Sequence, residues 1–259
     1  MSENQEESLL TKILEKQKSK TKPVLAFLSL FFLLIILSFF SSRWYRLQAI
    51  KNVKISGNNI LANSEIYDLV TDEIIGVSTS GIDLIKVKQK LESHPYIYKA
   101  TVWFNSKGIL GIEINERYPT AIVIKADGSM DLVDNTASIM PYRLHKEFTN
   151  FPIISNVYSG KNINKAALLG ALLIINEMGT SQPTFSQIIS EIKYIPEDKS
   201  YKLYLSDSGL GVLFGRPDDI VGKLENLSIF WREKLLVSKF DREVRELDVR
   251  WKDLVIAKY

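Results

Sequence analysis

The chain has 259 residues, of which 46% are hydrophobic, and its 33 basic and 30 acidic side chains give a formal net charge of +3. This hydrophobic share supports a folded core and argues against a disordered chain. The near balance of charge provides no strong basic field for a nucleic acid. Cysteine is absent, which excludes disulfide bonds and thiolate metal sites.

A long apolar segment follows a polar amino-terminal tail. Residues Pro23–Phe40 carry no charged side chain, and their eighteen residues extend about 27 Å as a helix, close to the thickness of a bilayer core. No small-residue cleavage pattern follows, and Trp44 and Tyr45 are of the types found at membrane interfaces. The sequence therefore predicts an uncleaved transmembrane helix over residues 23–42, rather than a signal peptide or a buried core helix.

The orientation of this segment depends on the architecture of the chain. Lysine and arginine residues lie on both sides of the apolar segment, so their distribution decides little. A short tail, one span and a long folded region are typical of a signal anchor, and we expect residues 1–22 in the cytoplasm and the folded region outside. Leu9, Leu10 and Ile13 give the tail a helical spacing, and an amphipathic helix and a disordered tail both remain open.

Residues 50–120 alternate between strand and helix patterns. Val53 and Ile55 alternate with polar neighbours, which predicts a half-buried strand. Two amphipathic helices follow, and the second ends before Pro95. Their apolar residues have helical spacing: Ile66, Leu69 and Val70, then Leu84, Val87 and Leu91. Two strands joined by the loop Asn105–Gly108 complete the order β-α-α-β-β. Their apolar faces hold Tyr98, Ala100, Val102 and Phe104, and Leu110, Ile112 and Ile114.

Three motifs in this region occur in a fixed order. They are VKISGN at Val53–Asn58, HPYI at His94–Ile97 followed by Ala100–Val102, and IEINERYPTA at Ile112–Ala121. As an ordered set they resemble the POTRA module of the FtsQ/DivIB cell-division family. The family often has a proline in the hairpin loop, where this chain has Asn105–Gly108, so the turn differs while the module is retained.

Residues 121–259 resemble the β domain of the same family. Asp127 and Gly128 predict a tight turn between two short strands. A helix is predicted over residues 162–178, and further strands over 188–195, 201–206 and 210–214. We expect Pro217 to open another helix, with Asp218 and Asp219 at its positive end. Its apolar stripe is Ile220, Leu224, Leu227, Trp231 and Leu235. The segment Leu247–Trp251 resembles the terminal signature of the family, and a last strand is predicted over Leu254–Ala257.

The sequence provides little support for catalysis. His94 and His145 are the only histidines, and both are predicted in turn or surface positions. No G-x-S-x-G elbow and no H-E-x-x-H pair occurs in the chain. We therefore predict a protein that is not an enzyme and holds no cofactor or metal. A membrane-anchored cell-envelope enzyme of unidentified chemistry is the alternative.

The main partner surface is predicted at the end of the chain. Leu247, Val249 and Trp251 alternate with polar residues, so this segment is expected to be a strand followed by a final edge strand. The signature arginine and aromatic residue of the family fall on Arg250 and Trp251. The predicted partner-binding residues are Asp248, Arg250, Trp251, Leu254, Val255, Ile256, Ala257 and Tyr259. The alternative places Trp251 in the core and leaves Arg250 solvated.

The resemblance implies an α+β fold and a function. It predicts one amino-terminal transmembrane helix, a POTRA domain at residues 50–120, and at 121–259 a mixed α/β domain with a mainly antiparallel sheet. By resemblance the protein is a single-pass inner-membrane scaffold at the division septum, which links early and late division proteins and helps control septal peptidoglycan synthesis. FtsB-like and FtsL-like proteins are the expected partners of the β domain, and other division proteins those of the POTRA domain.

Overall fold

The structure is a computed structural model that describes residues 27–42, 50, 52–78, 81–105, 108–146, 148, 150–206, 208–235 and 244–259. The predicted tail, residues 1–22, lies outside this part of the chain. The chain divides into two compact units. The first takes in the ranges 1–56, 63–90 and 101–113, and the second takes in 57–62, 91–100 and 114–259.

The first helix, α1, spans residues 27–42, and all of its residues are exposed. It coincides with the carboxyl-terminal part of the predicted span, whose first residues, 23–26, lie outside the described part of the chain, as do Trp44 and Tyr45. Within the described residues, no helix combines the length and the hydropathy that crossing a bilayer requires.

Five elements follow in the predicted order β-α-α-β-β. They are β1 (Asn52–Ser56), α2 (Asn63–Ile74), α3 (Leu84–Glu92), β2 (Ile97–Phe104) and β3 (Ile109–Glu116). The strands form a three-stranded sheet with β3 in the centre, and β1 runs parallel to β3, with Val53 opposite Leu110. Ser106 and Lys107 of the predicted hairpin loop lie outside the described residues.

The apolar faces of these elements are buried largely as predicted. The buried side chains are Ile66, Val70 and Ile74 of α2, Val87 and Leu91 of α3, and Leu110, Ile112 and Ile114 of β3. On the opposite face of β3, Glu113 and Asn115 are exposed, which is the alternation of a sheet with one covered face. Tyr98 departs from the prediction, since it is 56% exposed and its ring carries the guanidinium of Arg117.

Among the described residues, the second unit contains a sheet of nine strands in the order β14-β13-β12-β11-β10-β7-β4-β5-β6. These strands are β4 (Ala121–Ile124), β5 (Met130–Val133), β6 (Ile139–Pro141), β7 (Ile153–Ser155), β10 (Ile189–Ile195), β11 (Ser200–Leu205), β12 (Gly211–Gly215), β13 (Glu246–Trp251) and β14 (Leu254–Lys258). Neighbouring strands pair antiparallel except for β7 with both β10 and β4, and β12 with β13, which are parallel. The sheet is therefore mixed. A separate hairpin pairs β8 (Tyr158–Ser159) with β9 (Asn162–Ile163).

Helices share the core with one face of this sheet. They are α4 (Lys165–Ser181), the short α5 (Pro183–Ser186) and α6 (Ile220–Phe230), which continues as a π-helical turn, Trp231–Leu235. Leu168 and Leu172 of α4 and Leu224 and Leu227 of α6 belong to one buried cluster, together with residues of the strands such as Val249. The predicted start of α4 at residue 162 was wrong, because β9 occupies residues 162–163 and the side chain of Asn164 caps the helix.

The predicted start of α6 at Pro217 was also wrong. The helix begins at Ile220, and Asp219 before it adopts a left-handed conformation (φ 42°) without capping the helix through its side chain. The ammonium of Lys223 binds both the Arg216 carbonyl oxygen and the Asp218 carboxylate, which holds this segment outside the helix. The predicted apolar stripe is otherwise in place, except that the side chain of Leu235 lies outside the described part.

Candidate partner-binding edge

Strand β14 lies at one end of the nine-stranded sheet and pairs only with β13 among the described strands. The Arg245 N–H donates to the Lys258 carbonyl oxygen at 2.9 Å, so the backbone of Lys258 faces β13. Backbone groups alternate in direction along a strand. The N–H and C=O groups of Val255 and Ala257 therefore face the free side of the sheet.

The side chains near this edge divide between two faces. Val255 and Ala257 pack against the core. On the other face, Trp251 lies opposite Leu254, and both lie on the same face as Ile256. These three side chains, which we call the edge patch, are 56%, 52% and 38% exposed respectively. The alternative that placed Trp251 in the core was wrong. Tyr259, which follows β14, is 74% exposed.

Asp248 and Arg250 form an ion pair beside the edge patch. The buried carboxylate of Asp248 accepts hydrogen bonds from Nε and Nη2 of Arg250 at 2.8 and 2.7 Å. The bond from Arg250 lowers the pKa of Asp248 below its ordinary value and outweighs burial, which raises it. Gly215 (φ 80°) makes room for the arginine, because a Cβ at this position would lie 2.9 Å from Arg250 Cγ. Arg250 is therefore packed and paired rather than freely solvated.

A second charge network fixes both terminal strands, and it was not foreseen from the sequence. Glu246 of β13 binds Lys202 of β11 and, at 2.9 Å, Lys258 of β14. Burial raises the pKa of Glu246, but hydrogen bonds from the two lysines outweigh it and lower the pKa. The three residues are far apart in sequence, and only the strand register could have indicated that they meet.

The opposite edge of the same sheet, strand β6, is closed by its own residues. It has three residues, and one of them, Pro141, has no N–H to offer. The Pro141 carbonyl oxygen accepts a hydrogen bond from the Tyr96 hydroxyl at 2.7 Å. The guanidinium of Arg143 covers the Tyr96 ring at 5.2 Å from its centroid. Tyr96 belongs to the same compact unit as β6.

Strand β2, at the end of the three-stranded sheet, is also partly capped. The Ala100 N–H in the middle of this strand donates to Oε1 of Glu92 at 3.0 Å. A carboxylate at this position occupies a backbone donor that an added strand would need. The sequence analysis missed this role, because the pattern of α3 marks Glu92 only as a polar residue near the end of a helix.

The motif residues that carried the family resemblance have structural roles. Gly57 (φ 84°) is required because a Cβ there would lie 2.1 Å from the Ile114 carbonyl oxygen. The Glu116 carboxylate accepts hydrogen bonds from three successive N–H groups at 2.7–2.8 Å. These donors belong to Asn59, Ile60 and Leu61. Arg117 Nη1 binds the Asp134 carboxylate at 2.9 Å. The glycine and the Glu-Arg pair thus fix two loops.

The histidines take part in local structure. His94 Nδ1 accepts a hydrogen bond from the Tyr96 N–H at 3.3 Å, and the His145 ring lies 5.0 Å from that of Phe148. Throughout the part of the chain that the structure describes, no group of three or more His, Asp or Glu residues is placed to hold a metal ion.

The order β-α-α-β-β, with a mixed three-stranded sheet and two helices, defines a POTRA domain. Residues 48–117 match the family profile of the POTRA domain, FtsQ-type, which covers all five elements. This match confirms the resemblance found in the sequence, and the chain is assigned to the FtsQ/DivIB family. A comparison with curated proteins found no match.

Proposed function

We propose that the chain is a bitopic scaffold of the bacterial division machinery that acts through protein–protein contacts and has no catalytic role. The observation that carries this proposal is the FtsQ-type POTRA domain at residues 48–117. The open β14 edge supports it, because an unpaired edge strand offers a row of hydrogen-bonding groups to a partner segment. In this role the chain would link early and late division proteins and help control septal peptidoglycan synthesis.

Membrane attachment is part of the proposal. Residues 23–40 carry no charge, and the apolar side chains of α1, such as Phe31 and Phe39, are exposed along its length. We place a tail at 1–22 in the cytoplasm, an anchor at 23–42, and a POTRA domain (50–120) and a β domain (121–259) outside the plasma membrane. A reporter that is active only in the periplasm, fused after Tyr259, should be active, and an inactive reporter contradicts this orientation.

The β domain is proposed to bind its partner by strand addition. A partner strand would pair with the backbone of Val255 and Ala257 on the free side of β14. Its side chains would meet the edge patch, whose aromatic residue is of a type that contributes strongly to interfaces. FtsB-like and FtsL-like proteins are the proposed partners here, and other division proteins are the proposed partners of the POTRA domain.

Localisation in dividing cells tests the function. A fluorescent fusion of the full-length protein should form a ring at midcell, and a uniform membrane signal would argue against a division role. Deletion of residues 50–120 should abolish the ring and leave the protein in the membrane. As a matched control, Tyr67→Ala alters an exposed side chain of α2 and should leave the ring intact.

A further inference from the structure

A pocket of about 500 Å³ lies away from the β14 edge, in the second compact unit. Its lining includes Tyr98, the motif residues Glu116 and Arg117, Tyr118, and the turn that begins at Asp134. This volume lies in the range of ordinary small-ligand sites. None of the lining residues belongs to the proposed strand-addition site.

The charged groups of the pocket are already engaged with one another or with the backbone. Glu116 accepts the three N–H groups described above. Arg117 binds Asp134, whose carboxylate also accepts hydrogen bonds from Thr136 and from the Ser138 N–H. A charged ligand would have to compete with these contacts and would lose its own hydration. The pocket therefore favours a ligand without charge.

The groups that remain available are aromatic rings and uncharged polar side chains. Tyr98 and Tyr118 are 56% and 50% exposed, and both line the pocket. Beside them, the side chains of Thr120 and Asn135 have no hydrogen-bond partner among the described residues. A pyranose ring matches this combination, because it has an apolar face that packs on an aromatic ring and a rim of hydroxyl groups that bond to hydroxyl and amide side chains.

We propose that this pocket binds an uncharged carbohydrate chain through the rings of Tyr98 and Tyr118 and the side chains of Thr120 and Asn135. The volume accommodates one or two sugar rings at a time, so the expected binding is weak and serves to hold the protein near a polymer that carries many such units. The ligand chemistry is shared by chains of hexoses and of N-acetylated amino sugars.

The full-length protein is tested in a detergent whose head group is not a sugar, because a glycoside detergent would compete for the pocket. Saturation-transfer NMR is recorded with chitotetraose and, separately, with cellotetraose. At least one should bind with a Kd of about 0.1–1 mM. Preference for chitotetraose assigns the site to amino-sugar chains, and preference for cellotetraose assigns it to hexose chains.

Variants locate the binding. Tyr118→Ala and Asn135→Ala should each weaken it by about tenfold or more. Tyr118→Phe keeps the ring and should bind as the wild type does, as should the distant Tyr67→Ala. Since Asn135 is exposed in a turn, Asn135→Ala still decides the outcome if Tyr118→Ala fails to fold. Absence of saturable binding of either sugar below about 10 mM, or wild-type binding by the Asn135→Ala variant, would overturn the proposal. Saturable binding of an uncharged tetrapeptide in place of both sugars would overturn it too.

Discussion

The two edges of the nine-stranded sheet are finished in opposite ways. At β6 the strand is short, Pro141 removes a donor and the Tyr96 hydroxyl occupies an acceptor. At β14 the strand is longer, it contains no proline, and the backbone of Val255 and Ala257 faces outward. Most proteins blunt their exposed edges with charge, proline or a covering side chain. Because this sheet blunts only one edge, the open edge is the better candidate for a binding surface.

The open edge is nevertheless held firmly on its inner side. The Asp248–Arg250 pair and the network of Lys202, Glu246 and Lys258 connect β14 and β13 to the rest of the sheet. A strand that is ordered before binding loses less conformational freedom when a partner adds to it. The comparison therefore predicts that stability resides at the closed edge and in these ion pairs, whereas affinity resides at the free side of β14.

The largest expected effect is at the closed edge. Tyr96→Ala removes a buried ring and the hydroxyl that caps Pro141, and it should lower the free energy of unfolding by about 3–5 kcal/mol. Tyr96→Phe removes only the hydroxyl and should cost about 1 kcal/mol. Both values come from denaturant melts of the purified protein. Equal effects of the two variants would show that the ring contributes nothing to closing this edge.

Asp248→Asn tests the ion pair that supports the open edge. It should lower the free energy of unfolding at pH 7 by about 1–3 kcal/mol, because Arg250 loses its charged partner. The pKa of Asp248 is depressed in the folded protein. The contribution of its carboxylate is therefore present above the unfolded pKa of about 4 and lost as the pH falls through the lower folded value. Melts from pH 7 to pH 3 should show the wild type and Asp248→Asn converging only below about pH 4, and a constant difference would contradict the assignment.

The edge patch should affect binding more than folding. Trp251→Ala is expected to weaken binding of the proposed FtsB-like and FtsL-like partners by about tenfold, or 1.4 kcal/mol. Its effect on unfolding should stay below about 0.5 kcal/mol, since Trp251 is largely exposed. Leu173→Ala, on the exposed side of α4, is the matched control and should change neither quantity. A loss of folding with Trp251→Ala would show that the residue supports the sheet.

The smallest effect concerns β2, whose Ala100 N–H is capped by Glu92. Glu92→Ala should lower the free energy of unfolding by about 1 kcal/mol or less, whereas Glu92→Gln retains an acceptor and should cost less. Hydrogen exchange at the Ala100 amide provides the direct measurement. Exchange that is unchanged in Glu92→Ala would contradict the cap.

Local patterns predicted the elements well where burial alone determines them. The alternation of Val53 and Ile55 and the helical spacing of Val87 and Leu91 gave the correct faces, because periodicity reports directly which side of an element is covered. The strands at the end of the chain were found in the same way. Asp219 illustrates the limit, since its left-handed backbone delays α6 beyond the proline that usually opens a helix.

Contacts between distant segments were beyond the reach of the sequence. The parallel pairing of β7 with both β10 and β4 depends on long connections, for which a local pattern contains no register. The caps formed by Tyr96 and Glu92, and the acceptor role of Glu116, also depend on where a side chain points in the folded chain. The signature at Arg250 was noticed, but its partner Asp248 was expected to contact another protein rather than Arg250 itself.

The central claim is that a partner strand binds the free backbone of β14, and Ala257→Pro tests it most directly. This substitution removes an N–H that faces away from β13, so no hydrogen bond within the sheet is lost and an edge strand tolerates the ring. Binding of the proposed partner pair to the full-length protein, measured by titration calorimetry, should weaken by about 100-fold or more, while the melting temperature changes little. Ala257→Ser retains the N–H and should bind as the wild type does. A folded Ala257→Pro variant that binds its partners with wild-type affinity would contradict the account.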